Sequence, residues 1–139
     1  MDNHDRTAIL LVEKDSDLRR VISASLAQIG LRVLEASDDQ EAKQALEKDR
    51  VNILIVEHDW QYRKNTNVIK AFREQMGREA GTVLVTTKDR LDDTWRQQHN
   101  PLTVLYKPFD IRYLCRLIKD LVEKDTEETK TIASLRSLQ

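Results

Sequence analysis

Val51-Asn52-Ile53-Leu54-Ile55-Val56-Glu57 brings an aliphatic run to a stop at an acid. From Ile53 to Val56 it is apolar at consecutive positions. A strand built from it must be covered on both faces, as in a parallel sheet sandwiched between helices. Ala8 to Val12 and Thr82 to Thr86 have the same character, and further strand-length runs stand at Arg32 to Ala36 and Leu102 to Tyr106. The pattern predicts five strands, the third over Val51 to Val56 with Glu57 just beyond it.

Helical spacing fills the intervals. Leu18, Val21, Ile22, Leu26 and Ile29 recur at steps of three and four, with Asp15 or Ser16 as a cap and Gly30 placed to stop the helix. Ser37-Asp38-Asp39-Gln40 matches a capping box opened by Ser37, leading into Ala42, Ala45 and Leu46. Val68, Ile69, Phe72 and Met76 mark a third helix ending near Gly77. The polar segment Leu91 to Gln98 is a short fourth, and Asp110 caps a fifth carried by Ile111, Leu114, Cys115, Ile118, Leu121 and Val122. Alternation of strand and helix five times predicts an α/β domain with a parallel sheet and right-handed crossovers.

At 139 residues the chain suits one domain. Residues 7–123 are expected to form it. Residues 124–139 are polar, with three readings open: a tail, a helical extension or the start of a linker. Charged residues make up 34% of the chain, yet 23 Lys and Arg against 24 Asp and Glu leave a net charge of -1. A protein that grips nucleic acid through bulk charge shows a basic excess, so nucleic acid is not an expected partner. Cys115 is single and sits among apolar neighbours, which suits a buried thiol in a reducing compartment. The polar start, Met1-Asp2-Asn3-His4, is not a secretory signal, and no run reaches the roughly 18 apolar residues of a membrane span. A cytoplasmic protein without membrane contact is expected.

In parallel α/β sheets, ligands bind beyond the carboxyl ends of the strands. Those ends carry Glu13 and Lys14 after the first strand, Glu57 after the third, Thr86 and Thr87 at the fourth, and Lys107-Pro108 after the fifth. Partly buried charges are costly unless paired, so this group should interact.

These segments resemble the receiver domain of two-component response regulators. Leu10-Leu11-Val12-Glu13-Lys14-Asp15 is similar to the family's first strand and acidic loop. Val51 to Glu57 is similar to the third strand, which ends at the phosphorylated aspartate. Val83-Leu84-Val85-Thr86-Thr87 is similar to the fourth, and Lys107-Pro108-Phe109-Asp110 to the lysine and proline motif with its cis peptide. The resemblance runs from about Thr7 to Glu123. It implies a flavodoxin-like αβα sandwich, a doubly wound five-stranded parallel sheet in the order 2-1-3-4-5. It also implies a signalling module in a phosphorelay, not an enzyme. In the family, Mg²⁺ is held by the aspartate, a second acid after the first strand and a carbonyl. The lysine binds the phosphoryl oxygens, and a hydroxyl at the fourth strand, here Thr86, moves toward them.

This chain departs from that pattern. The acceptor position is Glu57, the acidic pair is Glu13-Lys14, and the loop Glu57-His58-Asp59-Trp60 onward lacks the usual Pro and Gly. A glutamate reaches one methylene further, toward the space a phosphoryl group would fill, with one negative charge in place of nearly two. Lys14 puts an ammonium where the metal's second carboxylate would be. Opposite charges about 4 Å apart attract by roughly 4 kcal/mol at an effective dielectric of 20, before desolvation. The expectation is that Lys14 replaces the metal and pairs with Glu13 or Glu57, while Lys107 holds Glu57 from the other side. No cofactor is then needed and Mg²⁺ binding is weak or lost. The resulting reading is an atypical receiver that acts through protein–protein interaction. The alternative is a working phospho-acceptor that uses Asp59 or another atypical site.

The family's swinging aromatic is replaced by Val104, and Tyr106 should face away from Lys107 and Leu105. Expected partners are a histidine kinase or a downstream signalling protein, or a second copy through the fourth helix, fifth strand and fifth helix. His58 beside Asp59 does not make a zinc site without a second cluster. There is no Gly-rich phosphate loop and no set of nucleophile, base and orienting group, which argues against an enzyme on this scaffold.

Overall fold

The computed structural model describes residues 7–57, 65–87 and 93–137. The elements alternate as β1 (Ala8–Val12), α1 (Ser16–Gln28), β2 (Arg32–Ala36), α2 (Asp39–Lys48), β3 (Ile53–Glu57), α3 (Asn65–Met76), β4 (Thr82–Thr87), α4 (Asp93–His99), β5 (Thr103–Lys107) and α5 (Ile111–Ser137). All strand pairs are parallel, in the order β2-β1-β3-β4-β5. This is the doubly wound α/β fold expected from the sequence.

Period-two alternation divides the sheet's side chains between two cores. Leu10, Val12, Leu54 and Val56 pack on one side with Ala42 and Leu46 of α2 and Val68 and Phe72 of α3; Trp95 of α4 joins them. Ile9, Leu11, Ile53, Ile55, Val83, Val85 and Leu105 pack on the other with Ile22 and Leu26 of α1 and Leu114 and Ile118 of α5. The continuous apolar runs of β1 and β3 are therefore two interleaved stripes.

Local chemistry sets the boundaries. Asp15 caps α1, its Oδ1 accepting from the N–H groups of Asp17 and Leu18. α1 ends where Gly30 takes a φ of +89°, which L side chains disfavour, and its N–H donates to the Ala27 carbonyl at 3.0 Å. The α2 cap is shifted by one residue from the expected Ser37. Asp38 Oδ1 accepts from Glu41 N–H at 2.8 Å, and the Glu41 carboxylate reaches back to the Ser37 N–H and hydroxyl. A carboxylate is the stronger acceptor and also complements the helix dipole, so Asp38 displaces the neighbouring serine. Asp110 caps α5, accepting from Arg112 N–H at 2.8 Å.

Three strand limits differ from expectation. β3 begins at Ile53 because Asn52 is engaged with β1: its amide oxygen accepts from Ala8 N–H at 3.0 Å and its N–H donates to the Ala8 carbonyl at 2.9 Å. Glu57 is thus the last residue of β3. β4 extends to Thr87, and β5 is shifted by one to end at Lys107. α4 starts at Asp93, with Leu91 and Asp92 outside the described residues. α5 runs unbroken from Ile111 to Ser137. No helix of the described residues is long and apolar enough to cross a membrane.

Phe72 is fully buried where α3 meets the sheet. Phe72→Ala is expected to cost about 3–5 kcal/mol in urea unfolding, a large share of the roughly 5–15 kcal/mol a domain has in total.

Candidate functional site

The alternation that builds the second core also builds the site. Ile9, Leu11 and then Glu13 follow one column of side chains, Ile53, Ile55 and Glu57 the next, and Leu105 and Lys107 another. Each column is apolar through the sheet and becomes charged at the carboxyl edge. Val12 is paired in register with Val56, so Glu13 and Glu57 stand on adjacent strands one step beyond. Lys107 is two strands away with β4 between, at the level of Thr87. Its four-carbon stem closes that gap.

The Lys107 ammonium lies 3.1 Å from Glu13 Oε1 and 3.2 Å from Glu57 Oε1. Glu13 is buried, at 3% side-chain exposure, while Glu57 and Lys107 keep 21% and 26%. Glu13 and Glu57 also act on each other. Two ionised carboxylates side by side repel, so one proton shared between the sites relieves the pair, and burial favours placing it on Glu13. Burial, with the hydrogen bond and charge of Glu57 adding to it, raises the Glu13 pKa to about 7 against the opposing pull of Lys107. Burial acts in the same direction on Glu57 but is outweighed by the bond from Glu13 and the charges of Lys107 and Lys14, so Glu57 ionises more readily than usual. Lys107 holds its proton more tightly, the two carboxylates outweighing its own burial. With Glu13 protonated, the three groups sum to zero charge.

The loop that carries Glu13 is clamped from two sides. Its N–H donates to the Ala36 carbonyl at 3.0 Å, and its carbonyl accepts from an Arg19 guanidinium N–H at 2.8 Å. Arg19 Nε also pairs with Glu35 at 3.2 Å. Arg19 was not singled out from the sequence. Its position four residues after the Asp15 cap, facing the loop it follows, is the signal that could have found it.

Lys14 is exposed and acts on Glu57 through its charge, a smaller influence than that of Lys107. The ammonium that bridges the two acids is that of Lys107. Pro108 follows it through a cis peptide bond, as the motif implied. Thr86 pairs in register with Tyr106, and its hydroxyl lies outside the described residues, as do His58, Asp59 and Trp60. Val104 is half-buried, and Tyr106, on the opposite side of β5 from Lys107, is 37% exposed. Trp95 is buried and stacks on His99 at 4.1 Å between ring centres. Among the described residues no group of three or more His, Cys, Asp or Glu is placed to hold a metal ion.

No family model matches the chain, and no curated protein matches it by sequence. Solved structures do match it. A CheY-like receiver domain from Methanospirillum hungatei JF-1 superposes with a TM-score of 0.74 at 18% identity, over 88% of this chain and 99% of that one. The chemotaxis protein CheY4 of Vibrio cholerae gives 0.72 at 22% identity, over 84% and 98%. The receiver domain of a Pseudomonas aeruginosa sensor histidine kinase, solved with a magnesium ion coordinated in its active site cleft, gives 0.70 at 23% identity, over 85% and 98%. The chain has the fold of response-regulator receiver domains.

The shared proton has a consequence for stability. A carboxyl whose pKa rises from 4.5 in the unfolded chain to about 7 stabilises the fold fully below 4.5, and loses that contribution as pH climbs to 7. Glu57, shifted the other way, withdraws its contribution as pH falls below 4.5. The contribution of this pair to unfolding free energy should therefore be greatest near pH 4.5 to 5 and decline by at most a few kcal/mol toward neutrality. Glu13→Gln, whose amide donates to Glu57 at every pH, should abolish that decline and be the more stable chain at pH 8 in urea titrations. Equal slopes for the two chains would contradict the shared proton.

Proposed function

We propose that this chain is a receiver-like signalling module of a two-component phosphorelay, atypical in its acceptor site, that works by binding protein partners without magnesium-dependent aspartyl phosphorylation. The observation that carries the reading is the Lys107 ammonium seated on both Glu13 and Glu57. Phosphoryl transfer to a carboxylate needs an unencumbered oxygen and a cation to offset the incoming charge. Here the acceptor-position carboxylate is held by Lys107 at 3.2 Å, beside a Glu13 carboxyl whose pKa burial raises.

The residues present are a poor fit to Mg²⁺. That ion takes about six oxygens in tight octahedral geometry, with one or two protein carboxylates among them. Bringing it in would expel the Glu13 proton, and Lys14 stands in the position of the second acid with a charge of the wrong sign. Lys14 thus adds positive charge where the receiver site otherwise takes a metal, beside the lysine that the family also carries. Glu57 acts as a permanent, partial counterpart of a phosphorylated acceptor, and the partner-binding surface is set by the fold.

The partner is a histidine kinase or a downstream signalling protein in the cytoplasm, with no catalysis by this chain. The face formed by α4, β5 and α5 carries exposed Tyr106 and Tyr113, residues of the type that anchors protein interfaces, and also suits a second copy of the chain.

Incubation with Mg²⁺ and acetyl phosphate, followed by intact-mass measurement, tests the site. The natural chain is expected to gain no phosphoryl group, and the double variant Glu57→Asp, Lys14→Asp to gain one. Uptake by the natural chain, whether it maps to Asp59 or elsewhere, would overturn the proposal in favour of a working acceptor.

A further inference from the structure

At the opposite edge of the sheet, where the strands begin, a cavity of about 380 Å³ opens between α3 and α4. Ile69 forms apolar wall, and Lys70, Arg73, Glu74, Arg78 and His99 supply the polar lining. Lys70, Arg73 and Arg78 face Glu74 in the lining and Glu79 nearby, three cations against two carboxylates on a chain whose total is -1.

The ordinary explanation for cations here is that they satisfy carbonyls where α3 and α4 end. It accounts for part of the arrangement. Arg73 donates from Nη2 to the Pro101 carbonyl at 2.7 Å, and Arg78 donates from Nε and Nη2 to the Asn100 carbonyl at 3.1 and 3.0 Å. These bonds hold both guanidiniums rigidly against the turn into β5. They leave Arg73 Nε buried with no hydrogen-bond partner among the described residues. A buried donor left unsatisfied is costly, and more so on a charged group.

Burial, with repulsion from Arg78 adding to it, pushes the Arg73 guanidinium below its usual range in spite of Glu79 nearby. Both observations describe a guanidinium that the protein's own groups leave incompletely satisfied. His99 adds a further group. Its Nδ1 lies 2.7 Å from the Trp95 carbonyl, which can only accept, so Nδ1 carries the hydrogen and Nε2 is left for another partner.

We propose that this cavity binds a phosphorylated small molecule, with Arg73 and Arg78 engaging its phosphoryl oxygens and Lys70 adding charge. A phosphomonoester carries about -1.5 to -2 charge at neutral pH and three strong acceptor oxygens, enough to meet N–H groups from both guanidiniums and the lysine at once. Guanidinium forks match the oxygens of a phosphoryl group, and here their orientation is already set by the Asn100 and Pro101 carbonyls. The volume lies within the 300–1,000 Å³ or so typical of small-molecule sites. The cavity is remote from Glu57, so this site stands or falls separately from the phosphotransfer question.

Titration of the full-length ¹⁵N-labelled chain with inorganic pyrophosphate, adenosine monophosphate and adenosine tests it. The two phosphates are expected to shift the amides of residues 69–78 and 98–100 saturably, and adenosine to leave them in place. Arg78→Gln and Lys70→Gln should each weaken binding by about tenfold. Lys70 is exposed, so its replacement leaves the fold intact and separates loss of binding from loss of structure. Absence of saturable shifts with both phosphates up to about 10 mM, or unchanged binding in Lys70→Gln and Arg78→Gln, would overturn the proposal.

Discussion

Both faces of β1 and β3 are buried, and this constraint governs what surrounds them. Strand alternation sends Leu10, Val12, Leu54 and Val56 one way and Ile9, Leu11, Ile53 and Ile55 the other, all of them almost wholly out of water. Helices must then lie on both sides, and parallel pairing with crossover helices meets that demand with short connections. The same alternation determines what reaches the carboxyl edge. Glu13, Glu57 and Lys107 continue the columns that face α1 and α5, so three charged groups converge where the apolar stripe runs out.

That convergence could have been ruinous. Two carboxylates at the mouth of an apolar core repel each other and lose hydration, which is why Glu13, the more deeply placed, retains a proton toward neutral pH. A single ammonium 3.1 and 3.2 Å from the two acids resolves most of the conflict. Glu57 ionises, and with a proton on Glu13 the cluster comes to rest near neutrality. Lys14 reinforces it from the exposed side.

Legibility varied with the range of the interaction. The strands and helices were readable because they rest on periodicity over five to fifteen residues, and the convergence of Glu13, Glu57 and Lys107 followed from where the apolar runs stop. Boundaries were less readable when a side chain acted across the fold. Asn52 looks like a strand residue until its amide is seen on Ala8, 44 positions away. Asp38 won the α2 cap over Ser37 because Glu41 bonds back around it, a competition between adjacent residues of similar propensity. Arg19 could not be told from Arg20 without knowing which one faces the Glu13 carbonyl. The cavity lined by Arg73, Arg78 and His99 was invisible, since its parts lie on α3, on the turn that follows it and on α4, and become neighbours only in the folded chain.

The order of apolar and polar residues, taken alone, determined that this chain makes a parallel α/β sandwich and that acids and lysines crowd the edge where its strands end. That much follows from local spacing, because a side chain's face is set by its position in a helix or strand. Which lysine meets which acid was decided only by tertiary structure. Lys14 is next to Glu13 in the chain, yet the ammonium that spans both acids is that of Lys107, 94 residues away. The reason is geometric: the loop after β1 turns Lys14 toward solvent, whereas β5 aims Lys107 along the inner face of the sheet, where burial makes an opposite charge most valuable.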